Sequence, residues 1–70
     1  MTDDTRKQII KKIKKARIDQ GLSQVQLANK SGVSIGGYIK IEHGDRKPQL
    51  ETLEKLIKAL GFKSSDVLPF

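Results

Sequence analysis

Seventy residues, no cysteine and a formal net charge of +6 leave room for one small domain without disulfides, thiol chemistry or a cysteine-built zinc site. The only histidine is His43, and the acidic residues do not cluster, so neither a metal centre nor a catalytic dyad is expected. The chain therefore reads as no enzyme, with no cofactor and no small-molecule substrate, and its basic balance points to a polyanion or an acidic surface. A polar start, Met1-Thr2-Asp3-Asp4, with no long apolar run after it, predicts a cytoplasmic chain with no membrane partner.

The fold class expected is all-α: a compact bundle of four to five short helices, one domain over residues 1–70, with helices at about 5–20, 23–30, 34–43, 50–60 and 64–68. Thr5 and Gln8 form a capping-box pair, which predicts that the first helix starts at Thr5. Ile9, Ile10, Ile13 and Ala16 recur at helical spacing and define an apolar face opposite a lysine-rich one. Residues 1–20 hold Arg6, Lys7, Lys11, Lys12, Lys14, Lys15 and Arg17 against Asp3, Asp4 and Asp19. A solvated face and a polyanion-binding face both fit that helix taken alone. Gly21 stops it in the left-handed conformation.

Ser23 and Gln26 form a second capping box, and Val25, Leu27 and Ala28 supply the second helix's apolar contacts. Gly32 is the expected left-handed turn residue, Ser34 caps the third helix, and Gly44 ends it. After the polar loop Asp45-Arg46-Lys47-Pro48 comes a strongly amphipathic fourth helix built on Leu50, Leu53, Leu56, Ile57 and Leu60 and closed by Gly61. Ser64-Ser65-Asp66-Val67-Leu68 predicts one last helical turn.

The middle third holds the informative pattern. Two short helices joined by a glycine-containing turn of three or four residues have the geometry of a helix-turn-helix, in which the second helix projects far enough to enter a major groove. Ala28 is small and lets the two helices approach closely. Aromatic residues make up 4% of the chain, too few for the stacking platforms that single-stranded nucleic acids need.

These residues resemble the lambda-repressor-like (Cro/cI, or XRE) family of bacterial and phage regulators. The resemblance runs over roughly residues 6–68: Arg17 with Gly21-Leu22-Ser23-Gln24, Leu27-Ala28, Gly32-Val33-Ser34, Ile41-Glu42 with Gly44, Pro48 with Leu50-Glu51-Thr52-Leu53, and Leu60-Gly61. It implies a transcriptional regulator, a repressor by expectation, that binds double-stranded DNA as a homodimer in the cytoplasm, at the nucleoid. It also implies that Gln24 hydrogen-bonds a DNA phosphate while bracing the recognition helix, and that Arg17 and Glu42 form a structural ion pair between the first and third helices. Ser34, Ile35, Gly36, Gly37, Ile39 and Lys40 fall on the reading segment, and His43, Arg46 and Lys47 on the phosphate-gripping loop after it.

The reading segment departs from the family pattern. Ile35, Gly36 and Gly37 stand where relatives carry polar side chains able to pair with base edges, and adjacent glycines weaken a helix by about 1 kcal/mol each. Tyr38 takes a usual core position and leaves Ile39 on the outer face, an arrangement that fits a rotated or loosened third helix. The competing reading is therefore a helix-turn-helix module that binds a protein partner, or an antitoxin, with weak or nonspecific DNA binding. Leu68 and Phe70 are the expected apolar contacts to a second copy.

Overall fold

A computed structural model describes residues 3–62, and all of its regular structure is helical. The order is α1 (Asp3–Asp19), α2 (Gln24–Ser31), α3 (Ile35–His43) and α4 (Leu50–Ala59). The expected last turn at 64–68, with Leu68 and Phe70, lies outside the described residues.

α1 begins at Asp3, two residues before the Thr5 start expected from the capping-box pair. Two carboxylates in the first turn, Asp3 and Asp4, complement the positive end of the helix, and Asp3 pairs with Arg6 at 3.2 Å one turn on. The chain is thus already helical before Thr5. The boundaries of α2 and α3 follow the cap signals. Ser23 caps α2 in a reciprocal box with Gln26, its hydroxyl accepting from the Gln26 N–H at 3.0 Å while the Gln26 side chain accepts from the Ser23 N–H at 2.7 Å.

Each helix contributes to one core: Ile9 and Ile13 from α1, Leu27 and Ala28 from α2, Tyr38 and Ile41 from α3, and Leu53, Leu56 and Ile57 from α4, with Leu60 just beyond it. Burying such a side chain contributes about 1.5–3 kcal/mol. α2 lies centrally, packed on both α3 and α4, and α1 closes on α3. The Gln20 amide donates to the Leu60 carbonyl at 2.8 Å and fastens the end of α1 to the end of α4.

Three expected apolar contacts fall outside this core, the first being Ile10 of α1, which is only half-buried. The buried arc of α2 is centred on Leu27 and Ala28 and takes in half-buried Gln24 and Ser31, which leaves Val25 46% exposed. Leu50, at the first position of α4, is 38% exposed, because the interior is reached one turn later at Leu53.

Candidate nucleic-acid interface

α2, the turn and α3 form a single capped unit. The α2 helix ends at Gly32, whose φ of +77° gives the chain its reversal, and the Val33 N–H then bonds the Ala28 carbonyl at 3.1 Å. Ser34 starts α3 in extended conformation, its hydroxyl accepting from the Gly37 N–H at 3.2 Å. α3 then runs as regular α-helix through both glycines to Gly44, at φ +83°. The expectation of a loosened third helix is thus corrected: the cap at Ser34 and the burial of Tyr38 and Ile41 hold it.

Tyr38 is fully buried, as its core position requires. Ile39 is half-buried, not exposed as the sequence pattern implied. It lies one turn from Glu42 on the same row of α3, and Glu42 is drawn inward by its partners, so Ile39 sits at the flank of the outer face.

Those partners form a polar network beneath α3. Glu42 Oε1 accepts from Arg17 Nη2 at 2.8 Å and from Arg17 Nε at 3.2 Å, while Glu42 Oε2 accepts from the Gln24 amide. Arg17 Nη1 donates to the Leu22 carbonyl at 2.8 Å. The side chains of Arg17 and Glu42 are only 12% and 3% exposed. Burial opposes the Arg17 charge, but the hydrogen bond and negative charge of Glu42 outweigh it and hold the guanidinium pKa above its ordinary value. The Tyr38 hydroxyl is buried beside this pair with no partner in good hydrogen-bond geometry. Burial, aided by the Glu42 charge, pushes its pKa up to about 12.

The network fixes the orientation of α3 relative to α1 and α2. Gln24 spends one amide N–H on Glu42, which leaves its second N–H for an external acceptor. On the outer face Gly36, Lys40 and His43 are exposed and follow one another at helical spacing, with exposed Ile35 at the amino end. Gly37 is buried, on the far side of Gly36 from Ile35. In the loop, Arg46 and Lys47 are exposed, and Lys47 pairs with Asp3 at 3.2 Å across solvent. Sequence reasoning did not find that last contact, which joins the start of α1 to the loop after α3, because nothing local to either segment signals it.

A profile of the helix-turn-helix family matches residues 13–68. The chain belongs to the XRE-type helix-turn-helix family. Curated relatives include the cryptic phage CTXphi transcriptional repressor RstR of Vibrio cholerae, 37% identical over 57 residues, a match covering 81% of this chain and 51% of that protein. An uncharacterized HTH-type transcriptional regulator of Haemophilus influenzae is 43% identical over 61 residues, or 87% of this chain and 61% of that protein. The SPbeta prophage-derived uncharacterized HTH-type transcriptional regulator YonR of Bacillus subtilis is 39% identical over 57 residues, or 81% and 53%. The chain thus spans about half to three fifths of the length of these helix-turn-helix relatives. No solved structure matches it.

Proposed function

We propose that this helix-turn-helix chain binds double-stranded DNA in a sequence-dependent manner and regulates transcription, with repression as the mode and a homodimer as the working form. The observation that carries this reading is the fixed presentation of α3. Capped by Ser34 and locked from beneath by Arg17, Glu42 and Gln24, it turns Gly36, Lys40 and His43 outward on a chain of net charge +6. A helix held in this way can lie in a major groove.

In this reading Ser34, Ile35, Gly36, Ile39 and Lys40 approach the bases, with Ile35 offering apolar contact to a thymine methyl. Gln24, His43 and Lys47 meet phosphates, Arg46 joins the interface from the loop after α3, and Gly37 serves it from within α3. RstR, named a transcriptional repressor, supports repression as the mode. The rival reading, a protein-binding module or antitoxin with weak DNA affinity, drew on the Ile35-Gly36-Gly37 stretch and on an exposed Ile39, and the half-burial of Ile39 removes the second of these supports.

The test is a salt titration of binding to duplex DNA. A dimer that touches six to ten phosphates loses affinity by ~10³–10⁵-fold between 50 and 200 mM salt. A response near zero contradicts the proposal.

A further inference from the structure

Gly37 is the buried glycine of α3, and the groups that crowd it belong to two other side chains. A Cβ placed on Gly37 would stand 2.9 Å from Arg46 Nη1 and 2.7 Å from Ser34 Oγ, both too close for ordinary contact. Gly36, one residue earlier, has open space around the same position. The guanidinium of Arg46, which belongs to the loop after the carboxyl end of α3, thus reaches back to its amino end and rests on the bare backbone of Gly37.

Three further observations bear on what this arrangement does. First, the ion pairs of the described residues join Arg6 and Lys47 to Asp3, Arg17 to Glu42 and Lys55 to Glu51, and Arg46 enters none of them. Second, a guanidinium beside the positive end of a helix gains nothing from that helix's dipole, so the dipole does not account for its place. Third, Gly36 and Gly37 provide no side chain at the turn of α3 that would lie deepest in a groove.

We propose that Arg46 supplies that missing side chain: seated on Gly37, its guanidinium reads a base edge at the amino end of α3, and guanine is the base its two-pronged donor set fits. Gly37 is then a positioning residue that acts through Arg46. The inference rests on the DNA-binding reading above and deepens it by naming a specificity-determining residue and its seat. The planar fork of arginine matches guanine O6 and N7, whereas a lysine ammonium supplies the charge without the fork.

The test uses the full chain and two probes: a duplex recovered by the wild-type chain from a random-sequence pool, and a mixed-sequence duplex of the same length. Arg46→Gln is expected to weaken binding to the selected duplex about 5- to 150-fold, the equivalent of one good base contact of ~1–3 kcal/mol. Reselection with this variant should relax one base position in each half-site. Arg46→Lys should lose the same preference while keeping most of the affinity for the mixed-sequence duplex. Gly37→Ala fills the seat and also crowds the Ser34 hydroxyl that caps α3, so it should lower the melting temperature modestly, stay folded at the assay temperature and reproduce the loss of preference. Combined with Arg46→Gln, it should add nothing further.

Three results overturn the inference while leaving the DNA-binding reading intact: wild-type preference in Gly37→Ala, wild-type preference in Arg46→Lys, or a loss in Arg46→Gln that is uniform across sequences, as a phosphate contact gives. A wild-type chain that enriches no duplex from the pool overturns the DNA-binding reading itself.

Discussion

Arg17 in α1 and Glu42 in α3 lie 25 positions apart in the chain and meet through two hydrogen bonds, at 2.8 and 3.2 Å, with Glu42 almost fully withdrawn from solvent. The second oxygen of Glu42 is taken by Gln24, so one carboxylate links α1, α2 and α3. Removing it strands a buried guanidinium. Glu42→Ala is expected to lower stability by about 3–5 kcal/mol, a large share of what a domain of this size possesses. Glu42→Gln should lose less, because its amide oxygen still accepts from Arg17. Chemical denaturation followed by circular dichroism measures both, and a loss below ~1 kcal/mol for Glu42→Ala would place the pair among solvent-screened surface bridges.

Tyr38 gives the fold a signature at high pH. Its folded pKa of about 12 lies above the ordinary 10.0, so the native state holds the phenol proton in a range where the unfolded chain has released it. Stability contributed by that difference is complete below pH 10 and is lost as the pH rises towards 12, with a limiting slope of about 1.4 kcal/mol per pH unit. Tyr38→Phe should flatten this part of the stability curve relative to wild type, while lysine titration remains common to both. At pH 7 it should cost nothing, since the hydroxyl it removes is buried without a well-placed partner. Parallel pH-dependent curves for the two proteins would contradict this account of Tyr38.

The same substitution at two neighbouring glycines should act with opposite sign. Gly32 makes the turn between α2 and α3 at φ +77°, and Gly32→Ala is expected to destabilise by ~1–2 kcal/mol. Gly36 is helical, with open space where a Cβ would go, and Gly36→Ala is expected to stabilise by ~0.5–1 kcal/mol. Thermal melts of the two variants decide the matter.

The lysine face of α1 carries a small electrostatic cost. Lys11 is exposed and stands at helical neighbour spacing from Lys7, Lys14 and Lys15, with no carboxylate paired to it among the described residues. Lys11→Glu turns three like-charge neighbours into opposite-charge ones, each worth ~0.2–0.5 kcal/mol, and should raise the melting temperature at low salt. The gain should shrink in 0.5 M salt. A melting temperature unchanged at low salt would mean that the lysines are too well solvated to interact.

The sequence is most readable where structure is set locally. Ser23 with Gln26, Ser34, Gly32 and Gly44 act through bonds that span a few residues, and each stands where its local signal places it. The apolar periodicity of α4 likewise identifies Leu53, Leu56 and Ile57 as core. Readability fails where two local signals compete or where the deciding partner is distant. Thr5 offers a start signal, but Asp3 and Asp4 before it are already helical and carry one of their own. The exposure of Val25 depends on how α2 is rotated, which Gln24 reveals only through its bond to Glu42, 18 positions away. The pair Arg17–Glu42 was legible through family resemblance, whereas the seat of Arg46 on Gly37 depends on a loop folding back along a helix, which no spacing rule anticipates.

The most direct test of the central claim is in vitro selection by the chain from a random duplex DNA library near physiological salt. A dimer that reads DNA through α3 should enrich a two-fold motif whose half-sites lie one helical turn, ~34–36 Å, apart. A pool that emerges with no enriched sequence would contradict sequence-specific reading and leave protein partnership as the function of this helix-turn-helix.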